Sequence, residues 1–190
     1  MIRIGIFASG EGTNAQRFID YFKNSKKVRI SLVVTNNAKA KVIERAQKAG
    51  IPFMLIERES FYNSNRVVEE LKAKIDFIVL AGFMWMVPEN LIKAFHNKMV
   101  NVHPALLPAY GGKGMYGMHV HEAVIKNKEK SSGITIHFVN EHYDEGKIIF
   151  QQQCMVNTDD TPQSLAEKIH KLEYEYYPQI VEKLLLGNIS

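Results

Sequence analysis

The sequence predicts an α/β fold: a single domain over residues 1–190 with one open, Rossmann-like, mostly parallel sheet. Helices would cover both faces, and an antiparallel hairpin plus a long terminal helix would complete it. Three observations predict this. Up to residue 102, short apolar runs alternate with helix-period stretches, the pattern of repeated βα units joined by right-handed crossovers. The run Phe77–Ala81 is apolar throughout, as a parallel strand buried on both faces must be. After residue 102 the alternation stops, and two strand-like runs flank a turn rich in Asn, Asp and Gly.

Ile2–Ala8 reads as the first strand. Asn14–Phe22 places Ala15, Phe18, Ile19 and Phe22 at helical spacing, with Thr13 or Asn14 as its N-cap. Val28–Thr35 is an uninterrupted second strand rich in β-branched residues. Lys39–Ala49 is a helix that Gly50-Ile51-Pro52 stops. Phe53–Ile56 is a short third strand, and Asn65–Lys74 is a helix with Val67, Val68 and Leu71 on one side. Phe77–Ala81 is the fourth strand, Pro88–Phe95 a short helix with proline in its first turn, and Met99–Val102 the fifth strand. Pro104–Met118 is a loop too long to be a mere connector. His119–Lys126 is helical, and Gly133–Val139 and Lys147–Val156 pair as a hairpin across Asn140–Gly146. Pro162–Leu186 is the terminal helix. Its core stripe is Leu165, Ile169, Leu172, Tyr176 and Ile180, with Glu173 at the border and a bend at Pro178.

Apolar and charged fractions of 46% and 23% are those of an ordinary globular protein. No apolar stretch is long enough to cross a bilayer. The opening Met1-Ile-Arg-Ile-Gly-Ile-Phe7 lacks a signal-peptide layout, and Cys154 is the one cysteine, so a reducing, cytoplasmic setting is expected. The net charge of +4 is spread over scattered lysines with no basic stripe. Nucleic acid is therefore not the expected partner, whereas a small anionic substrate suits such a surface.

Asn101-x-His103 ends the fifth strand, at the edge where open α/β sheets bind ligands. An amide donates to a developing oxyanion and an imidazole moves protons near neutral pH, so the pair points to carbonyl chemistry. Asp144 lies in the hairpin turn, where a turn-forming role accounts for it equally well. Near His103 its carboxylate would raise the imidazole pKa and keep a proton donor available at neutral pH. The first loop, Ser9-Gly10-Glu11-Gly12-Thr13-Asn14, leads from a strand into a helix, which suits an anion. Gly10-x-Gly12-x-x-Ala15 formally meets the dinucleotide pattern. Strand two, however, ends Thr35-Asn36-Asn37 without the acidic residue that binds ribose, which favours a smaller phosphate.

At these residues the sequence resembles the folate-dependent formyltransferases. The matching motifs are Ser9-Gly-Glu-Gly-Thr-Asn14, Leu80-Ala-Gly-Phe-Met84, Asn101-Val-His-Pro-Ala-Leu-Leu-Pro108, Gly133-Ile-Thr-Ile-His137, Asp144 with Gly146, and Glu173 ahead of Tyr177-Pro178. The likeness covers nearly the whole chain in order, and the glycine-rich first loop is that of members acting on glycinamide ribonucleotide in purine synthesis. The resemblance implies that 10-formyltetrahydrofolate is the co-substrate and that no metal is needed. Asn101 would hold the formyl oxygen, and protonated His103 would be general acid and relay. Asp144 would raise its pKa and order a water. Gly12, Thr13 and Asn14 would hold the ribose phosphate, and Glu173 the glycinamide end. Met84, Trp85, Met86 and Val87, with Asn101, would bind the folate.

The chain departs from the family pattern at two places. Trp85 stands where many members carry arginine, and Tyr110–Gly117, with four glycines, is longer than usual and suggests a mobile flap. His119-x-His121 with Glu122 lacks metal-site spacing, and Cys154 sits mid-strand as an unreactive residue. His137 faces either the site or the core. Two rival functions are a related formyltransferase with another acceptor, such as an amino sugar, and a non-catalytic nucleotide-binding module. The second would leave Asn101, His103 and Asp144 without a joint purpose. Oligomeric state is not legible.

Overall fold

Every apolar run read as a strand is a strand in the computed structural model, which describes residues 1–189. β1 is Ile2–Phe7, β2 Val28–Thr35, β3 Phe53–Leu55, β4 Phe77–Leu80, β5 Met99–His103, β6 Ser131–Phe138 and β7 Ile148–Met155. Between them lie α1 (Thr13–Phe22), α2 (Val42–Lys48), α3 (Arg58–Asn63), α4 (Arg66–Lys74), α5 (Glu89–Ala94) and α6 (Met118–Lys126), and α7 (Pro162–Leu185) follows β7. Among the described residues the strands form one α/β sheet in the order β3-β2-β1-β4-β5-β6-β7. β2 pairs parallel with β1 and β3, β4 pairs parallel with β1, and β6 with β7 antiparallel. The chain divides into two compact units, residues 1–100 and 101–190.

In the first unit the chain steps outward from β1 to β2 and β3, then returns to place β4 on the other side of β1. The crevice where this direction reverses lies at the carboxyl ends of β1 and β4, the ligand position of open α/β sheets. Residues 8–12 leave β1 there, and residues 81–87 leave β4. Ile4, Ile6, Phe7, Ile78 and Val79 are buried along these two strands, so the crevice rests on a rigid core.

In the second unit Thr135 on β6 is fully buried, and its hydroxyl uses its whole hydrogen-bonding capacity. It donates to the Ala105 carbonyl at 2.7 Å and accepts from Leu107 N and Gln151 Nε2, each at 2.9 Å. Gln151 on β7 also donates to the Leu107 carbonyl at 2.9 Å. The hairpin thus anchors the start of the long loop directly after His103.

Several boundaries differ from the sequence reading. β5 extends through His103, so both Asn101 and His103 lie inside the strand. Pro88 is the N-cap of α5 rather than a first-turn residue, and Gly12, not Thr13 or Asn14, caps α1. α3 lies between the third strand and the next helix, in a stretch to which the sequence reading assigned no element. On α7 the buried stripe is Leu165, Ile169, Glu173, Tyr177 and Ile180, while Leu172 and Tyr176 are half-buried. Glu173 is therefore central to the stripe, not at its border. α7 runs unbroken through Pro178. Its start is fixed by a capping box between Thr161 and Ser164 with Pro162 next to the cap.

Candidate active site

Strand geometry puts residues two apart on one face, so Asn101 and His103 project from β5 together. His103 is 3% exposed and sits between two acceptors. Its Nε2 donates to the Tyr110 carbonyl at 2.7 Å, and its Nδ1 lies 3.4 Å from Asp144 Oδ2. Asp144 reaches it from the turn after β6, in the left-handed conformation at φ 57, which Asp and Asn adopt more readily than most residues. The sequence expectation that this turn approaches β5 is met.

His137 belongs to the same cluster. Its Nδ1 donates to the Phe138 carbonyl at 2.8 Å, which leaves Nε2 to accept from Asn101 Nδ2 at 3.3 Å. That contact fixes which way the Asn101 amide points, and it uses one of its two N–H groups. His137 Nε2 also lies 3.6 Å from Asp144 Oδ1. The open question of whether His137 faces the site or the core is settled toward the Asn101–Asp144 cluster.

Burial pushes the Asp144 carboxyl up, but the adjoining His137 ring, the positive charge that His103 carries when protonated and the Gly112 amide at 2.9 Å outweigh it and lower its pKa. For His103 the balance goes the other way. Burial lowers its pKa more than Asp144 and the Tyr110 carbonyl raise it, and His137 lowers it further. Asp144 thus acts with the expected sign, yet the net pKa falls below the ordinary histidine value instead of rising. The shift favours the neutral imidazole over the imidazolium.

The long loop enters the cluster through its main chain, at the Tyr110 carbonyl and the Gly112 amide. Gly111 between them packs so closely that a Cβ would fall 2.5 Å from Leu107 Cδ2 and 3.3 Å from Asp144 Cβ. Sequence reasoning missed these contacts, because a backbone group carries no side-chain signature; the run of glycines was the one available signal. Glu173, on α7 in the same unit, is 6% exposed. With burial, its charge raises the hydroxyl pKa of fully buried Tyr177.

In the first unit, α1 begins with Gly12 at φ 69, without a side-chain cap and without an acidic residue in its first turn. The positive end of that helix is left to the loop Ser9–Asn14, as anion binding requires. Thr13 is exposed and Asn14 half-buried. Ser9 joins this loop to the one after β4, since its Oγ accepts from Met84 N at 2.8 Å and its N–H donates to the Gly82 carbonyl at 3.0 Å.

Met84 and Met86 are exposed at 55% and 42%, whereas Val87 is buried, so core packing explains only part of this apolar segment. Trp85 lies against α3, with Phe61 and Tyr62 ring centroids 5.8 and 6.0 Å away. Arg58 sets its guanidinium 5.5 Å from the Tyr62 ring and 5.9 Å from that of Trp85. The Tyr62 hydroxyl donates to the Met86 carbonyl at 3.0 Å.

His119 is exposed with Glu122 3.6 Å away, while His121 on the same helix is buried with its pKa lowered to about 4, chiefly by burial. The two rings do not share a face. No group of three or more His, Cys, Asp or Glu among the described residues is arranged to hold a metal. Cys154 is half-buried, and burial raises its thiol pKa.

Residues 2–181 match the family model described as formyl transferase. The chain is 38% identical over 188 residues to the chloroplastic phosphoribosylglycinamide formyltransferase of Vigna unguiculata, covering 96% of this chain but 60% of that protein. It is 34% identical to the phosphoribosylglycinamide formyltransferase of Bacillus subtilis (strain 168), over 97% of this chain and 95% of the relative. A crystal structure of phosphoribosylglycinamide formyltransferase from Bacillus halodurans superposes with a TM-score of 0.86 at 39% identity, covering 96% of this chain and 95% of that one.

Proposed function

This chain belongs to the formyl transferase family, and we propose that it moves a formyl group from 10-formyltetrahydrofolate to the amine of glycinamide ribonucleotide. The observation that carries the reading is the cluster of Asn101, His103 and Asp144, backed by His137 and buried at the end of β5. It supplies an oxyanion donor and a proton carrier with a counter-ion, the two things acyl transfer needs. We read residues 1–190 as one functional domain, working in the cytoplasm on small molecules, with no nucleic-acid partner.

The substrate amine attacks the formyl carbon, and negative charge builds on the formyl oxygen. The Asn101 N–H that is not given to His137 donates to that oxygen. As the new C–N bond forms, neutral His103 takes the proton released by the amine. The resulting imidazolium faces ionised Asp144, and it passes the proton to the folate nitrogen as the old C–N bond breaks. Apo distances in such relays are often long and tighten on binding, which suits the 3.4 Å gap. Gly12, Thr13 and Asn14 bind the ribose phosphate, Glu173 the glycinamide end, and Met84–Val87 the folate.

The direct test follows formyl transfer by absorbance with 10-formyl-5,8-dideazafolate, with and without glycinamide ribonucleotide. Turnover that requires the ribonucleotide supports the proposal. Turnover without it means hydrolysis, and folded protein with no turnover means another acceptor, an amino sugar among them, or no catalysis.

Asp144→Asn tests the relay. Removing the carboxylate takes away a contribution that raises the His103 pKa. Neutral His103 then persists to lower pH, so the acidic limb of kcat/KM moves down. The imidazolium also loses its counter-ion, and kcat falls roughly ten- to a hundred-fold. An unchanged pH profile measured in the variant would remove Asp144 from this role.

A further inference from the structure

α2 touches the loop Ser9–Asn14 at three successive residues. Val42 N donates to the Gly10 carbonyl at 3.2 Å. Arg45 Nε donates to the Glu11 carbonyl at 2.7 Å, across 34 residues of sequence. Gly12 lies flat on Val42, where a Cβ would fall 2.6 Å from Val42 Cβ and 2.9 Å from its Cα. Lys41, one turn before Arg45, draws the Glu11 carboxylate toward α2 at 2.9 Å.

A trans peptide is planar, with its carbonyl and N–H pointing in opposite directions. Turning the Gly10 carbonyl to Val42 therefore turns the Glu11 N–H away from α2. Turning the Glu11 carbonyl to Arg45 does the same for the Gly12 N–H. Two consecutive amides then point one way, beside the uncapped start of α1, and such a run of N–H groups forms an anion-binding concavity. Glycine at position 12 is required twice: for its left-handed φ of 69 and for the missing Cβ against Val42.

We infer that Arg45 is a positioning residue for phosphate binding: its hydrogen bond to the Glu11 carbonyl orients the Gly12 amide toward the anion. This rests on the proposal that the loop Ser9–Asn14 takes the ribose phosphate. Val42 alone cannot do this, because its bond sets only the preceding peptide. Lys41 cannot either, because it engages an exposed carboxylate and no main-chain group.

The test compares Arg45→Met, which keeps the aliphatic stem and removes the donor, with Lys41→Met, which removes the same charge and leaves the loop backbone alone. Calorimetry gives the binding of glycinamide ribonucleotide, and steady-state kinetics give KM for each substrate. The expected result is a roughly ten- to a hundred-fold weaker binding and higher KM for the ribonucleotide in Arg45→Met. Folate KM, kcat and Tm should stay within about twofold or a few degrees of wild type, and Lys41→Met should behave as wild type. A merely structural arginine would lower Tm and leave the two KM values in step. Equal ribonucleotide affinity in wild type and Arg45→Met overturns the inference and leaves the function intact. An equal loss in both variants overturns it in favour of net charge. A wild-type protein that does not bind the ribonucleotide overturns the functional proposal, and the inference with it.

Discussion

Replacing His103 by alanine is expected to lower kcat roughly a hundred- to ten-thousand-fold, the usual contribution of a positioned acid–base group. KM for both substrates should change little, because the proposal gives His103 no part in holding either one. The imidazole is almost fully buried, so its loss leaves the Tyr110 carbonyl without its donor and Asp144 without one of its two histidine contacts. Loss of the donor to the Tyr110 carbonyl costs about 1–3 kcal/mol of stability. A thermal melt therefore accompanies the kinetics, and the rate is read at a temperature where the variant is folded. His103→Gln provides a second variant: its amide can keep the Tyr110 contact but cannot carry a proton at neutral pH. If either folded variant turns over at the wild-type rate, the relay is wrong.

Asn101→Ala should lower kcat roughly a hundred- to a thousand-fold, or about 3 kcal/mol of barrier, as removal of one oxyanion donor does elsewhere. Negative charge on the formyl oxygen is large only in the transition state, so the loss falls on kcat and little on KM. The geometry adds a second expectation. His137 Nε2 accepts from the Asn101 amide, and the Phe138 carbonyl holds the His137 ring in that tautomer. His137→Phe should then loosen the amide without removing it and give a smaller loss in kcat than Asn101→Ala. A kcat for Asn101→Ala within tenfold of wild type would place the oxyanion donor elsewhere.

Where packing periodicity is strong, the sequence was sufficient. β2 is found over Val28–Thr35 as read, and β4 differs by one residue. A parallel strand buried on both faces leaves an unmistakable apolar run. α3 was not legible. Arg58–Asn63 is six residues long and has no cap side chain, and a helix that short is unstable alone. It forms because Phe61 is buried against Phe83 and Trp85, which arrive from the loop after β4. The same packing brings the Arg58 guanidinium beside the Trp85 ring.

The α7 stripe shows a different limit. Helical spacing was correct for Leu165, Ile169 and Ile180 but chose Leu172 and Tyr176 over Glu173 and Tyr177, because hydropathy favours apolar side chains for the interior. The fold instead buries a carboxylate there. Nothing in the order of residues along a helix says which neighbours will surround it.

Fold class, the succession of strands and the candidates Asn101, His103 and Asp144 are properties of local sequence: periodicity, turn chemistry, and residue types that can do carbonyl chemistry. These survive because each depends on residues close together in the chain. The state of those candidates depends on distant residues. Burial set the direction of the His103 pKa against the pull of Asp144. The Tyr110 carbonyl, the Gly112 amide and His137 entered the cluster only when β5, β6 and the loop between them came together. Arg45 reached the loop after β1 in the same way. Desolvation and main-chain hydrogen bonds across tens of residues leave no mark on the type or spacing of side chains, so the fold alone could reveal them.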